Sequence, residues 1–464
     1  MKTLLRRLFD PVDIASLIYF RIVFGLIMFW EIWRYFKNDW IKTYWIDPTF
    51  YFTYYGFDWV QPWPGDGMYI HFIVLAVLVC FIIVGLFYRI SAMLFFLGFS
   101  YVFLLDQTRY LNHFYLISLI SFIMIFLPAH RSFSLDAVLR PNIRSNVAPA
   151  WTLWLLRFQI FMPYFYGGLA KLNSDWLHGQ PMRMWLADRS DFPVIGQLFT
   201  NELFVSSFNY GGLSFDLLII PLLLWRRTRV YAVIAAVVFH LMNAWLWNIG
   251  IFPWFMIAAT LMFLSPDWPR RLIRGQLSAP STGKEETTAK TQFNRKEVRT
   301  LVLLGIYVVI QLLVPLRHYL YPGKSGWTGE GSNFAWHMKL GKTFIAELDF
   351  NATDPATGRT WLINYNEYLT RRQAVNMSIK PGMILQYVHH VAKDLKSKGY
   401  EDIEIRVRVV ASLNYRKPEL LIDPDVDLTK VKRTLLPNDW IMPVTNPVPT
   451  TREQSLKNLG LPSR

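Results

Sequence analysis

Long apolar runs recur through the first two thirds of this chain, and they constrain its fold more than any other feature. A helix that crosses a bilayer needs roughly 20 predominantly apolar residues. Nine runs approach that length: 14–33, 69–87, 91–105, 112–128, 150–170, 213–225, 230–247, 250–265 and 299–316. With 53% hydrophobic residues, the chain is also too apolar for an ordinary soluble protein of 464 residues. We therefore predict an α-helical integral membrane protein with about nine transmembrane helices.

Basic side chains are distributed unevenly between the predicted loops, and they indicate how the chain is oriented. The formal net charge is +15. If the N-terminus is cytoplasmic, the loops on that side receive most of this charge: Arg89, Arg131, Arg140, Arg144, Arg226, Arg227, Arg229 and the basic residues of 270–299. Lys and Arg are enriched in the cytoplasmic loops of membrane proteins. We therefore predict a cytoplasmic N-terminus, an extracytoplasmic (periplasmic or lumenal) C-terminal part, and no nucleic-acid partner.

Composition divides the chain into four parts. Residues 1–273 are predicted to form a transmembrane core with a catalytic pocket, 274–297 a Ser/Thr/Lys/Glu-rich cytoplasmic linker, 298–317 the last transmembrane helix, and 318–464 an extracytoplasmic α+β, β-rich domain. Within that domain we predict strands at 343–350, 360–364 and 403–412, and a helix at 382–398. The Pro-rich segment from Pro437 onward is expected to be extended. An aromatic, Pro-containing loop at 36–68 suits the membrane interface.

The chain carries little that suggests a disulfide or a metal site. Cys80 is the single cysteine, so an intramolecular disulfide is impossible and a cysteine-based metal site is excluded. His389 and His390 are adjacent in sequence, and adjacent side chains on a helix or strand diverge. We therefore predict no metal cofactor.

One lysine stands at the end of a predicted transmembrane helix. The apolar stretch from Trp151 to Tyr166 leads into Gly167-Gly168-Leu169-Ala170-Lys171. An ionisable residue near hydrocarbon is costly and is a functional-site hypothesis by default. The alternative is that Lys171 extends its alkyl stem to place its ammonium at the interface.

Other polar residues lie at the same predicted end of the helices. They are Asp106, Gln107, Thr108, Arg109, Asn112, His113, His240 and Asn243. His240 and Asn243 are three residues apart and share one helix face. Each also has a simpler explanation: Asn112 as a helix cap, His113 as an exposed first-turn residue, His240 as an interhelical hydrogen bonder, and Asp106 with Arg109 as a local ion pair.

Together these residues suggest acid–base chemistry on a lipid-soluble substrate. An amine kept away from water holds its neutral form more readily, so Lys171 is predicted to accept protons at neutral pH. Asn112, His113 and His240 would then orient a polar ring substituent or stabilise an oxyanion. A substrate dissolved in the bilayer would reach this site sideways. No hydrolytic triad, phosphate-binding loop or metal-ligand spacing is visible in the sequence.

At these residues the chain resembles the vitamin K-dependent gamma-glutamyl carboxylase family, and it is identified as a prokaryotic-type homologue. The similarity covers most of residues 10–440 in order. The segments that carry it are Asn112-His113, Tyr164 to Trp176, Phe239 to Asn243, Ile249 to Phe252, Ser265 to Arg270, Trp327-Thr328, Phe334 to Met338 and Ile422 to Asp427. The lysine segment and the His-x-x-Asn segment are specific when they occur together.

The resemblance implies a reaction and a set of roles. Lys171 would deprotonate vitamin K hydroquinone, or a menaquinol-type quinol. Oxygenation by O2 would then yield a strong base that removes the gamma proton of a peptide glutamate. CO2 would add to give gamma-carboxyglutamate, and the quinone would leave as its epoxide. By the same match, the quinol would be bound by Asn112, His113, Lys171, His240 and Asn243, and the glutamate would lie near Trp336 and His337.

The chain also departs from the animal enzymes of this family. His337 occupies a position that is acidic in them, their disulfide cannot form here, and they continue with a large lumenal region beyond the part that matches. Two alternatives therefore remain beside the carboxylase: a quinol epoxidase with little or no carboxylation, and a non-catalytic quinone-binding membrane protein. A transporter is less favoured, because the inner halves of the predicted helices are mostly apolar.

Overall fold

The computed structural model of the protein describes residues 2–274 and 292–462, and every predicted apolar run in them forms a helix. The nine corresponding helices of the described residues are α1 (Ala15–Lys37), α2 (Gly67–Val84), α3 (Tyr88–Leu104), α4 (Asn112–Phe126), α5 (Ala150–Lys171), α6 (Glu202–Leu224), α7 (Arg229–Trp247), α8 (Phe252–Thr260) and α9 (Arg295–Leu313). Shorter helices join them: Lys2–Arg6, Trp40–Trp45, Leu135–Leu139, Ser174–Leu177, Met182–Ala187 and Trp268–Arg274.

Several of these helices are suited to a bilayer. Among the described residues, five are long and apolar enough to cross a membrane: α1, α2, α6, α7 and α9 with its 3-10 extension to Leu320. Helices α3, α4 and the unit Phe252–Phe263 are apolar but shorter. Helix α5 has 22 residues but carries Arg157, Gln159 and Lys171. The protein is thus mostly helical with membrane-type spans, and the count of nine crossings stays a prediction.

Two helices begin earlier than predicted because side chains cap them. Helix α6 begins at Glu202 rather than at 213, because the Asn201 side chain caps it by accepting hydrogen bonds from the backbone N–H groups of Leu203 and Phe204. Helix α9 begins at Arg295, inside the segment that we predicted as a linker, and a capping box at Asn294 fixes its start. Within the predicted linker, residues 275–291 lie outside the described residues.

The C-terminal part is an α+β domain, as predicted. Four strands form an antiparallel sheet in the order β2-β1-β3-β4, with β1 at Thr343–Thr353, β2 at Thr360–Leu362, β3 at Glu404–Leu413 and β4 at Glu419–Leu420. Strands β1 and β3 pair from Thr343 opposite Leu413 to Thr353 opposite Glu404, with one register shift. Two helices cover the sheet, α10 (Arg371–Ser378) and α11 (Pro381–Ser397). Short helices also lie at Ser325–Thr328 and Arg452–Asn458.

The sequence pattern explains this domain. In β3, Ile405, Val407 and Val409 are fully buried, and the residues between them point to the other face. Pro381 starts α11 at the position where its missing N–H costs nothing. The segment from Pro437 was expected to be extended throughout, but Arg452–Asn458 is helical because the Thr451 side chain caps it.

A buried ion pair fastens the C-terminal domain to the helices. The Asp175 carboxylate, just after α5, accepts two hydrogen bonds from the Arg416 guanidinium, at 2.6 and 2.7 Å. It also accepts from Lys324 Nζ at 2.6 Å and from Asn414 Nδ2 at 2.8 Å. Although burial opposes ionisation, the hydrogen bonds from Arg416, Lys324 and Asn414 hold the pKa of Asp175 well below its usual range.

Replacing Asp175 by Asn should loosen this attachment. It leaves the buried Arg416 guanidinium without a counter-charge, which costs about 3–5 kcal/mol in comparable buried pairs. Because the folded-state pKa is lowered, the stabilisation is complete above the unfolded pKa of about 3.9 and is lost only as pH falls through the folded value. We therefore expect a lower unfolding temperature for Asp175→Asn throughout pH 5 to 8, measured on detergent-solubilised protein. Asp188→Asn, which removes an exposed partner of Lys342, is the control and should change little.

Candidate functional site

The predicted lysine forms an ion pair with a carboxylate in the neighbouring helix. Lys171 is the last residue of α5, and its Nζ donates a hydrogen bond to Oδ2 of Asp216 in α6. Both side chains are more than nine-tenths buried. Charges removed from water in this way are stable only when they are paired. The pair is therefore a single acid–base unit rather than two independent groups.

Two glycines allow the helices to approach closely enough for this contact. A Cβ at Gly168 would lie 2.7 Å from Cδ2 of Leu217 in α6. A Cβ at Gly167 would lie 3.0 Å from Cε of Met338 and 3.6 Å from Oδ2 of Asp216. Small residues let helix backbones approach each other in membranes. Gly167-Gly168 thus places Lys171 and Asp216 side by side.

An indole ring lies beside the lysine. Lys171 Nζ lies 5.2 Å from the centroid of the Trp176 ring, a distance suited to a cation–π contact. Trp176 is held by reciprocal hydrogen bonds with Asn209: its Nε1 donates to the Asn209 carbonyl at 3.2 Å, and Asn209 Nδ2 donates to its carbonyl at 2.7 Å. Asn209 is fully buried in α6. These bonds fix one wall of the site.

His240 of α7 is held by one ring nitrogen and leaves the other without a partner. Its Nε2 forms a hydrogen bond of 2.6 Å with the hydroxyl of Tyr164 in α5. Its Nδ1 is buried and has no hydrogen-bond partner among the described residues. Buried polar atoms without partners are uncommon and call for an explanation. A ligand atom bonded to Nδ1 would supply one.

Lys171, Asp216 and His240 line one cavity. Its volume is about 310 Å³, and its walls are largely apolar. Asn243 also lines it, and so do Trp176, Phe239, Trp247, Phe252 and Met256. On the α6 side the wall contains Gly211 and Gly212, where an added Cβ would meet nothing within 4 Å. The cavity thus brings together Lys171, His240 and Asn243, three of the residues singled out from the sequence.

Asn112 and His113 lie beside this cavity and do not line it. The His113 ring packs 5.7 Å from the Phe252 ring, and the Phe252 ring lies 6.1 Å from the His240 ring, so Phe252 contacts both imidazoles. Asn112 uses both ends of its amide: Nδ2 donates to the His337 carbonyl at 2.8 Å, and Oδ1 accepts from the Tyr110 hydroxyl at 2.9 Å. The structure therefore joins Asn112 to the segment around His337, whereas His113 packs against Phe114 and Phe252.

That segment, Phe334–Lys339, is here called the strap. The strap belongs to the C-terminal part of the chain, and its last two residues, Met338 and Lys339, line the cavity. Phe334, Trp336 and Lys339 all have positive φ, of 66°, 58° and 55°. Non-glycine residues in this conformation cost about 1–3 kcal/mol each and persist only where their surroundings enforce them. Here Phe334 N donates to the Tyr110 hydroxyl at 2.7 Å, and Asn112 holds the other end.

The strap carries both residues predicted to lie near the glutamate. Trp336 is buried against the Tyr115 ring at 4.9 Å, and its Nε1 has no partner among the described residues. The His337 ring lies 4.5 Å from the His318 ring. Burial, and then the neighbouring His318, lower the pKa of His337 to about 4, so this imidazole is neutral at physiological pH.

A second cavity of about 370 Å³ is lined by Phe334 of the strap, by Leu104 of α3 and by residues of the C-terminal domain. Arg317, Lys380 and Arg433 outnumber its one acidic lining residue, Glu330, so its walls are basic overall. Burial lowers the pKa of Lys380 to about 8, and Asp106 opposes this shift. The charge of this cavity suits an acidic ligand.

Comparison with known families agrees with this arrangement. The model of the HTTM domain family matches residues 9–268, more than half of the chain. The model of the vitamin K-dependent gamma-carboxylase lumenal domain matches residues 296–447. The chain belongs to the vitamin K-dependent gamma-carboxylase family. No solved structure matches the chain.

Membership of the carboxylase family supports several general conclusions about this protein. The two domains support an integral membrane enzyme of vitamin K-dependent carboxylase type, with a lumenal-type domain after the helices. The family implies a vitamin K cofactor and a peptide glutamate as substrate. Residues 318–447 of the predicted α+β domain lie inside the second match.

The remaining predicted polar residues have structural partners in this carboxylase-family chain. Asp106 accepts from Gln373 Nε2 at 3.1 Å and thereby contacts α10. The Arg109 guanidinium lies over the Tyr44 ring at 3.2 Å instead of pairing with Asp106. His389 Nε2 bonds to the Val431 carbonyl, whereas His390 stacks on Phe50. Of these contacts, His390 with Phe50 attaches the C-terminal domain to the first loop, and Gln373 with Asp106 attaches it to the segment after α3.

The most important residue missed from the sequence is Asp216. It lies inside the predicted run 213–225, and the rule that drew attention to Lys171 applies to it equally. Tyr164 and Asn209 were also missed. Both are polar residues in apolar helices, but the sequence does not show which way a helix presents them.

Proposed function

We propose that the protein oxygenates a vitamin K-type hydroquinone to its epoxide and uses that reaction to carboxylate a peptide glutamate. The observation that carries the proposal is the buried Lys171–Asp216 pair facing an apolar cavity together with the free nitrogen of His240. Membership of the carboxylase family supports the same chemistry. Each residue role below belongs to this proposal.

The cavity fits a quinol ring in size and in chemistry. Its volume of about 310 Å³ falls within the range of small-molecule sites, roughly 300–1,000 Å³. Phe239, Trp247 and Phe252 provide aromatic walls for a fused ring. If the Tyr164 hydroxyl donates to Nε2 of His240, Nδ1 carries the proton and donates to a ring oxygen. Asn243 would contact the same end of the ring, and Asn112 and His113 would support it from behind Phe252.

The ion pair performs the proton transfer. When both members of the pair are charged, the ionised carboxylate of Asp216 can still accept one proton. Lys171 passes a proton to Asp216 as it takes one from the quinol hydroxyl, so the pair ends with a cationic lysine and a neutral acid. The lysine cation and the His240 N–H then stabilise the quinol oxyanion. Apolar walls keep water away from this step.

Bound quinol supplies the electrons: one oxygen atom of O2 enters the epoxide, the other leaves as water, and CO2 replaces the gamma hydrogen of glutamate. The strap positions the glutamate. Along the chain, Trp336 and His337 lie between Phe334, which lines the basic cavity, and Met338, which lines the quinol cavity. Arg317 and Lys380 would attract an acidic acceptor segment to the first of these. No metal is assigned a role.

Gly211 and Gly212 are proposed to form the lateral opening through which the quinol arrives from the bilayer. Because a Cβ added at Gly212 meets nothing within 4 Å, Gly212→Phe should fold normally and fill the opening. We expect KM for the quinol to rise at least tenfold with a smaller change in kcat. Gly305→Phe in α9, equally free of contacts but away from the cavity, is the matched control. Equal KM values in both variants would exclude this route.

The activity itself is tested with purified protein, vitamin K hydroquinone, O2, labelled bicarbonate and a short glutamate peptide. We expect epoxide and incorporated label to appear together. Epoxide without label would identify a quinol epoxidase. Neither product, together with saturable quinone binding by folded protein, would identify a quinone-binding protein.

We also propose that the N-terminus is cytoplasmic and the C-terminal domain extracytoplasmic. The basic residues in the first turn of α3 (Arg89) and from the end of α6 to the start of α7 (Arg226, Arg227 and Arg229) support this orientation. A reporter active only outside the cytoplasm, fused after residue 440, should be active. Activity of a cytoplasm-only reporter at that position would reverse the orientation.

A further inference from the structure

A third cavity lies at the opposite end of the helices from the quinol site. Its volume is about 650 Å³, and it is bounded by the turn between α2 and α3 and by the segment after α4. The lining includes four arginines: Arg89, Arg131, Arg140 and Arg144. One acidic residue, Asp136, is present among them. The cavity is therefore strongly basic.

The charges of this cavity are only partly used within the protein. Asp136 is already engaged, since its carboxylate accepts hydrogen bonds from the backbone N–H groups of Phe87 and Tyr88 and from Arg140. Among the described residues, no hydrogen bond or ion pair is formed by the guanidinium of Arg89 or Arg131. Arg144 donates one hydrogen bond, from Nε to the Ala137 carbonyl at 2.8 Å. Most guanidinium N–H groups thus remain for a ligand.

The imidazole of His130, which also lines the cavity, is affected by these arginine charges. Burial, and then the charges of Arg89 and Arg131, lower the pKa of His130 to about 4, although Asp136 opposes this shift. His130 is therefore neutral at physiological pH and adds no further positive charge. The arginines alone give the cavity its charge.

An apolar rim adjoins the basic cavity. Phe87 and Ile90 line the cavity itself and are each more than half exposed. Phe133, Val138 and Leu139 on the neighbouring segment are still more exposed, at 77%, 61% and 65%. Exposed apolar side chains beside a basic cavity match a ligand with an anionic head and hydrocarbon chains. A free anion in water would gain nothing from this rim.

We propose that this cavity binds a phosphate group, and that in the membrane this group is the headgroup of an anionic phospholipid such as phosphatidylglycerol. Arginine forks are suited to phosphate oxygens. Basic pockets between transmembrane helices are known as sites for anionic headgroups. The ligand would join the start of α3 to the segment after α4.

The test uses the full chain in detergent with added phosphatidylglycerol or phosphatidylcholine, and counts bound lipid by native mass spectrometry. We expect saturable binding of phosphatidylglycerol only. Arg89→Ala with Arg131→Ala should weaken it by about fivefold for each charge removed. The matched control, Arg226→Ala with Arg227→Ala, removes two exposed arginines at another loop of the same predicted side and should bind as the native protein does.

Three outcomes would overturn the proposal. Unchanged phosphatidylglycerol affinity in the Arg89/Arg131 variant would exclude the cavity as the site. An equal loss in the Arg226/Arg227 control would mean that only general surface charge matters. Displacement of the lipid by inorganic phosphate at the same arginines, with no advantage from acyl chains, would make the ligand a free anion.

Discussion

Replacing Lys171 by Ala is expected to abolish both epoxide formation and carboxylation. The lysine is the only group of the Lys171–Asp216 pair proposed to contact the quinol hydroxyl, and a positioned base contributes about 10²- to 10⁴-fold to a rate. The measurement is epoxide and labelled gamma-carboxyglutamate from one reaction mixture. Small primary amines should restore part of the activity, because the space left by the side chain opens into the cavity.

The control for this variant is Lys342→Ala. Lys342 lies three residues after the strap and pairs with Asp188 in solvent, so its loss removes a lysine without touching the cavity. It should retain native activity. Full activity of Lys171→Ala, or equal losses in both variants, would show that the lysine is not the base.

Asp216→Asn is expected to reduce epoxide formation by a similar factor. The amide keeps the shape of the carboxylate but cannot accept the proton that Lys171 passes on. Because the two residues act as one unit, Lys171→Ala combined with Asp216→Asn should be no less active than either single variant. The measurement is the initial rate of each variant at saturating quinol.

Loss of folding must be separated from loss of the proton acceptor. Removing one partner of a buried ion pair costs about 3–5 kcal/mol, whereas replacing both by apolar residues is often neutral. Lys171→Met with Asp216→Leu should therefore recover native thermal stability and stay inactive. If Asp216→Asn keeps native activity, the lysine acts alone as a neutral amine, and the relay through Asp216 is wrong.

The positions of Lys171, His240 and Asn243 could be predicted because helix ends follow from counting apolar runs. Alternating charges in the loops place these residues at one end of the bundle, and a spacing of three puts His240 and Asn243 on one face. Rotation of a helix about its axis cannot be obtained in this way. For that reason the sequence groups His113 with the cavity, whereas in the structure His113 packs against Phe252 and is not in the cavity lining.

Strands and helices of the C-terminal domain could be predicted where their apolar residues follow a regular period. The alternation around Val407 and the helical spacing after Pro381 both predicted the observed elements. The short strand Glu419–Leu420 has too few residues to show a period, and it forms through pairing with β3. The strap was also beyond prediction, since its conformation is imposed by Tyr110 and Asn112, more than 200 positions away.

In the short helix Ser174–Leu177, two neighbouring residues contact different parts of the protein. Asp175 faces the C-terminal domain and binds Arg416, while Trp176 lines the cavity beside Lys171. A single peptide bond joins Asp175, which binds Arg416, to Trp176, whose indole lies beside Lys171. If the domain tilted when an acceptor protein docked, the pull on Asp175 would reach Trp176 directly and displace the ring from the lysine. Under the proposed function, acceptor docking and the readiness of the base would therefore be mechanically linked.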